Sequence, residues 1–392
     1  ASATSATSAA SSQNKPLLFA MLRSFLAFAS CYSELSFLHA IQIQFPTTTT
    51  TTIITKNNNS YKHSNIAHYT ALASTTSTGL FHASQAYLPS SSVMILWRMS
   101  ISNQLMGNDV WAVLWGLVAV LCVGWPFCAV LFLTTGFWTV WKAWKAASTK
   151  GGGGLGGTTP TTPIAMASWH HAIKPISLIL LRTSIHAILL QSLVMIIDYH
   201  FYGRIVSPIW NIFAYNAQSG GDELYGIEPL SYYVKNLLLN FNLVAVLGIV
   251  SGPMLVMTEV GRRMFPTWSL SMLFSNNDDD DCGGDNDDNG DGTNHNKRNN
   301  HDDDDGDASM DTKTTAMLVL LPMYLWMAIV LPRPHKEERF LFPIYPMLCF
   351  GAAITVNELV NLLLQLYHYA FRRSETEKAE GKNDETTTKT TT

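Results

Sequence analysis

The chain has 392 residues, 47% of them hydrophobic, five cysteines and a formal net charge of −4. The cysteines (Cys31, Cys122, Cys128, Cys282 and Cys349) show no metal-ligand spacing, and four of them lie inside apolar segments, which excludes a zinc module and a disulfide scaffold. Charge is unevenly placed: Asn276–Thr315 holds fourteen Asp against Lys297, Arg298 and Lys313, a net of −11, and subtracting that from −4 leaves the rest of the chain at +7.

Residues 1–16 are an Ala/Ser/Thr-rich stretch without a basic region followed by an apolar one, so no cleavable signal is visible. They are expected to form a low-complexity luminal tail, with the natural N-terminus upstream. Beyond them, apolar runs near membrane-spanning length recur, and the mean hydropathy of +0.11 is low only because three polar insertions dilute it. Nine spans are expected: Leu17–Ala40, Asn65–Ala83, Leu88–Met99, Val110–Val123, Phe127–Trp141, His171–Asp198, Leu237–Met257, Ala316–Leu331 and Ile344–Tyr367. Gly124-Trp125-Pro126 either divides one long apolar stretch or kinks it.

The fold class expected is therefore an all-α integral membrane protein. Its first region, 17–141, is transmembrane with a disordered loop at 46–64. A cytosolic Gly/Thr-rich linker follows at 142–170. The pair of spans in 171–258 encloses a luminal loop at 199–236. Residues 259–315 read as a disordered acidic cytosolic loop, 316–371 as a second pair around a charged luminal loop, and 372–392 as a disordered cytosolic tail. Orientation follows from Lys142, Lys145 and Lys150 after the fifth span, Arg262 and Arg263 after the seventh, and Arg372 and Arg373 after the ninth: all fall on one side if the spans alternate. Asn58-Asn59-Ser60 is a glycosylation sequon on that same cytosolic side and is expected to be unused. The Asp-rich loop lacks the spacing and terminal Glu of an EF-hand, so it reads as a solvated linker, with no metal expected.

The loop between the last two spans reads His335-Lys336-Glu337-Glu338-Arg339-Phe340-Leu341-Phe342, with Pro332, Pro334, Pro343 and Pro346 around it. Proline fixes the backbone and breaks the helix on either side. Ionisable side chains are costly near a bilayer, so five in succession mark a candidate site, here for a phosphate with His335, Lys336 and Arg339 as donors. Glu337, beside Lys336 and Arg339, is equally readable as an ion-paired brace or a catalyst. The other luminal loop offers Tyr199, Tyr202, Arg204, Asn216, Tyr225 and Glu228 as substrate-binding candidates, joined by Glu337 and Glu338. Tyr and Asn there are also ordinary interfacial and helix-gluing residues.

The run from His335 to Pro346 resembles the signature of the dolichol-phosphate-mannose-dependent mannosyltransferases of glycosyltransferase family 22. Collinear similarity extends to Met21–Ala40, Ala86–Ser91, Gly124–Phe127, Asp198–Gly203, Leu224–Pro229 and Leu237–Asn242. The Glu-Glu-Arg-Phe-Leu-Phe-Pro and Leu-Tyr-Gly-Ile-Glu-Pro runs place it nearest the branch that adds alpha-1,2-mannose to the lipid-linked N-glycan precursor. The resemblance implies a GT-C helical bundle in the endoplasmic reticulum membrane with a luminal active site. It implies dolichol-phosphate-mannose as donor, a dolichyl-pyrophosphate oligosaccharide as acceptor, inversion at the sugar, no cofactor and no nucleic-acid partner. A mannosyltransferase of glycosylphosphatidylinositol synthesis and a truncated, non-catalytic homologue are the alternatives. A phosphate-binding transporter is disfavoured, because no internal repeat appears and the charges sit at span ends.

The family carries an acidic motif in its first luminal loop that supplies the general base. No Asp or Glu precedes Arg23 here, so the catalytic residue is expected upstream and these residues alone are expected to be inactive.

Overall fold

The computed structural model describes residues 2–55, 58–123, 125–151, 164–217, 226–264 and 312–387. Residues 265–311 of the expected acidic loop, 152–163 of the Gly/Thr-rich linker and Tyr225 lie outside the described residues. Twelve α-helices are described: α1 (Ser2–Gln44), α2 (Ile66–Thr76), α3 (Thr78–Ser84), α4 (Pro89–Leu105), α5 (Asp109–Leu121), α6 (Ala129–Gly151), α7 (Ile164–Tyr202), α8 (Pro208–Ala217), α9 (Ser231–Phe241), α10 (Leu243–Met264), α11 (Thr312–Val330) and α12 (Tyr345–Thr387). The segment expected as the loop 46–64 carries an antiparallel pair, β1 (Thr48–Thr55) and β2 (Asn58–Ser64), with Ile53 opposite Ser60 and Ile54 opposite Asn59. Its Thr and Ile are β-branched and suit a pleated ribbon.

Five helical segments among the described residues are long and apolar enough to cross a membrane: Lys15–Gln44, Ile173–Tyr202, Leu243–Val260, Thr312–Val330 and Glu338–Tyr367. The count expected from the sequence was nine. The difference has local causes. Asn65–Ala83 is broken at Ser77, which is extended and separates α2 from α3. Helix α5 has 13 residues and α4 has 17. Helix α6 has 23 residues, but its Thr, Trp and Lys side chains dilute the apolar run. Helix α4 is also the innermost element: twelve of its residues are buried, serines, Gln104 and Arg98 among them.

The core forms where α1, α4 and the first turns of α12 meet. Phe37 packs edge-on against Trp97 at 5.6 Å and against Phe350 at 6.0 Å, and Phe45 closes on Phe350 at 5.8 Å. Between these rings lies an ion pair. Arg98 of α4 is 1% exposed and pairs with Glu34 of α1, and its second amino group donates to Ser30 Oγ at 3.2 Å.

Helix α10 packs against α12 through small residues. A Cβ on Gly248 would lie 2.5 Å from the Leu348 carbonyl oxygen, so only glycine permits this approach. Pro253, inside α10, has no N–H for the carbonyl of Ile249 one turn back. The Tyr324 hydroxyl of α11 donates to that carbonyl at 2.8 Å and accepts the Gly252 N–H at 2.8 Å. An apolar surrounding offers no water for this task, and a side chain from the neighbouring helix takes it on.

The ion pair can be tested by an ordered series. Removing one partner leaves a buried charge, which costs about 3–5 kcal/mol, whereas replacing both by apolar residues is close to neutral. Arg98→Met and Glu34→Leu alone should each lower the thermal midpoint in detergent, and the double substitution should recover most of the loss. A double variant less stable than both single ones would show that the pair is not the relevant interaction.

Candidate active site

The loop after α11 is built by backbone constraints before any side chain acts. Leu331 and Arg333 still donate to Met327 and Val330 carbonyls, and Pro332 and Pro334 then end the helical pattern. The Glu228 N–H donates to the Pro334 carbonyl at 3.1 Å, which ties the segment after α8 to this loop. Gly226 supports that junction with φ of +97°, and its carbonyl accepts from His335 Nδ1 at 3.2 Å. A 3-10 turn, Glu338–Ile344, leads into α12, and the Trp326 indole of α11 donates to the Phe340 carbonyl within it at 2.7 Å.

A cavity of about 210 Å³ opens against this loop. Its walls are Trp125, Phe127, Tyr215, Trp326 and Phe340, and its polar groups are Arg333, His335, Glu337 and Arg339. Trp125 meets Trp326 edge-on at 5.2 Å and stacks on Phe340 at 6.4 Å. Phe127 stacks on Phe213 of α8 at 6.3 Å, so the segment after α7 reaches the cavity through α8 and its Tyr215.

The charged groups are arranged around one carboxylate. Glu337 Oε1 accepts from His335 Nε2 at 2.8 Å and from Arg339 Nη2 at 2.8 Å, and its Oε2 pairs with Arg339 Nε. The His335 ring thus lies between the Gly226 carbonyl and the Glu337 carboxylate. Burial by itself would raise the Glu337 carboxyl, but the hydrogen bonds from His335 and Arg339 and their charges outweigh it and hold the group below its ordinary range. Arg339 spends one edge of its guanidinium on Glu337, lies over the Phe340 ring at 5.7 Å and is 45% exposed. The geometry gives a cation-rich mouth over an aromatic-lined hollow, suited to an anion joined to a body with apolar faces.

The candidates from the sequence divide clearly. His335, Glu337 and Arg339 line the cavity. Lys336 does not: it is buried and its ammonium caps the Arg333 carbonyl of its own loop. Glu338 faces α9, accepting from Asn240 Nδ2 at 2.9 Å and from the Tyr345 hydroxyl at 3.3 Å, and so staples the loop to the bundle. Tyr199, Tyr202 and Arg204 lie exposed at and beyond the end of α7 and do not line the cavity, and Glu228 is exposed and joins the loop through its backbone. The side chain of Asn216, like Tyr225, lies outside the described residues.

Sequence reasoning missed Arg333 and the aromatic wall. Arg333 stands between two prolines of the same loop, a visible signal just outside the five-residue charge cluster. Trp326 sits inside an apolar run and carries no local mark.

Acid should loosen this loop. Because the folded state holds Glu337 below its unfolded value, about 4.3, its stabilisation is complete above that value and is lost as pH falls through the lower folded one. Hydrogen exchange of the backbone from Arg333 to Phe342 should accelerate over that window, and the acceleration should vanish in Glu337→Gln, whose loop is already loose at neutral pH.

Residues 2–384 match the Alg9-like mannosyltransferase family. The chain is similar to the mouse alpha-1,2-mannosyltransferase ALG9, with 28% identity over 92% of this chain and 44% of that protein. It is 27% identical to the human ALG9 over the same shares, and 24% identical to the Saccharomyces cerevisiae ALG9 over 72% of this chain and 38% of that protein. The chain thus spans less than half the length of these relatives, and no solved structure matches it. With a family match over nearly its whole length, the chain belongs to the Alg9-like mannosyltransferase family.

Proposed function

We propose that this chain carries the donor-phosphate side of a mannosyl-transfer site. Mannose passes from dolichol-phosphate-mannose to a dolichyl-pyrophosphate oligosaccharide, in alpha-1,2 linkage with inversion, on the luminal face of the endoplasmic reticulum membrane. The observation that carries this reading is the convergence of Arg333, His335 and Arg339 on one cavity whose single carboxylate is already held by two of them. The names of the relatives, all alpha-1,2-mannosyltransferases, support the linkage over the glycosylphosphatidylinositol alternative.

In the reaction the bond between the sugar C1 and the phosphate oxygen breaks while the acceptor oxygen bonds to C1 from the opposite face. The acceptor proton goes to a carboxylate base and dolichyl phosphate leaves. A phosphate is a good leaving group and needs positive charge more than an acid. Arg339, Arg333 and His335 supply that charge, and Lys336 supports the loop from behind. The aromatic wall seats the sugar and excludes water. Neither loop glutamate is the base: Glu337 has its basicity lowered by two cations, and Glu338 is engaged by Asn240 and Tyr345.

Expressing the full-length protein, with the upstream segment that is expected to carry the base, in yeast deleted for its own relative and profiling lipid-linked oligosaccharides tests the assignment. Restoration of the missing alpha-1,2-mannose is expected; an unchanged profile at normal protein levels would end it. In the same assay Arg339→Ala should reduce transfer about 10²-fold, the order seen when one charge-stabilising donor is removed. Arg339→Lys should also lose activity, because an ammonium cannot hold Glu337 through two parallel bonds while serving an anion. Full activity with Lys would reduce Arg339 to a simple charge.

A further inference from the structure

A second and larger cavity, about 410 Å³, lies between α5, α6 and α7, remote from the charged loop. Its floor is apolar, with Val113, Leu114, Leu117 and Ile179, and its rim carries Asp109, Lys142, Arg182 and His186. Asp109 and Lys142 satisfy each other, Nζ to Oδ1, at 3.0 Å. His186 Nδ1–H donates to the Arg182 carbonyl at 2.6 Å. The Arg182 guanidinium is exposed, and no ion pair or hydrogen bond to it is found among the described residues. The rim therefore holds one surplus cation beside a balanced pair.

The position of that cation matters. Arg182 lies in the apolar segment Ile173–Tyr202, whose central stretch is not buried by the rest of the protein. From Arg182 to Tyr202 the helix rises about 30 Å, the thickness of a hydrocarbon core. Arg182 stands nine residues inside the start of that 30-residue segment, and its guanidinium snorkels toward the nearer interface, where lipid phosphates lie. A lone guanidinium there needs an anion.

We infer that the crevice between α5, α6 and α7 binds an anionic glycerophospholipid of the bilayer, its phosphate on Arg182 and Lys142 and an acyl chain along Val113, Leu114 and Leu117. Hydroxyls of the head group would find acceptors in Asp109 and His186 Nε2. Basic crevices between helices at the cation-rich side of a membrane are suited to such head groups. The site is separate from the mannosyl-transfer proposal, and its test does not read transfer.

The test is native mass spectrometry of the purified chain, delipidated and offered phosphatidylinositol, phosphatidylserine, phosphatidylcholine and dolichyl phosphate in turn. One retained phosphatidylinositol or phosphatidylserine per chain is expected, with phosphatidylcholine retained at least fivefold less. Arg182→Gln should lower retention of the anionic lipids about fivefold, about what one cation near the surface contributes, and Arg182→Lys should restore most of it. Leu114→Trp, which fills the floor without altering charge, should lower retention as well. Equal retention of phosphatidylcholine, or unchanged anionic-lipid retention in Arg182→Gln or Leu114→Trp, would overturn the inference. Preferential retention of dolichyl phosphate would also overturn it, by giving the crevice to a substrate tail.

Discussion

A guanidinium buried between two apolar helices sets the terms for the rest of this structure. Arg98 has no water to turn to, so α1 must lie where Glu34 and Ser30 can reach it. That requirement selects one rotation and one register of α1 against α4 among many that would bury similar apolar area. Dispersion and hydrophobic burial are non-directional, whereas an ion pair in a dry site tolerates little displacement. Helix α4 in turn backs the 3-10 turn that carries Glu338 into the bundle, so the pair fixes the platform on which the charged loop rests.

The same logic recurs wherever the backbone loses a partner. Pro253 frees the carbonyl of Ile249, and Tyr324 answers it from α11. Gly248 removes the side chain that would hold α12 away from α10. These contacts couple α10, α11 and α12, and α11 and α12 flank the loop of the candidate site. The loop is thus held at both ends by rigid helices and across its middle by Glu228, Trp326 and Asn240. Its positive charges are positioned before any ligand arrives, which is how a site stabilises a leaving anion without reorganising at the moment of reaction.

Within the loop, two glutamates adjacent in sequence have opposite employment. Glu337 organises His335 and Arg339 at the mouth of the cavity, while Glu338 points to α9. The carboxylate sets the direction in which His335 and Arg339 line the cavity. Lys336, which the sequence presented as an equal third donor, is consumed by a backbone carbonyl. A bent loop that leads into a 3-10 turn sends successive side chains to different sides, and a list of charges does not say which side faces the cavity.

What the sequence by itself determined was the class of protein, the charged and proline-braced loop and the family. These rest on local properties: apolar runs, proline and glycine chemistry, and a collinear string of motifs. Several matters belonged to tertiary structure. These were the five helices of spanning length where nine apolar runs could be counted, the aromatic wall from Trp125 to Trp326, the place of Arg333, and the separation of Tyr199, Tyr202 and Arg204 from the cavity. The reason is physical. An apolar run reports that a segment avoids water; whether lipid or protein covers it depends on its neighbours. A side chain's chemistry is local, but its partners are set by residues a hundred or more positions away.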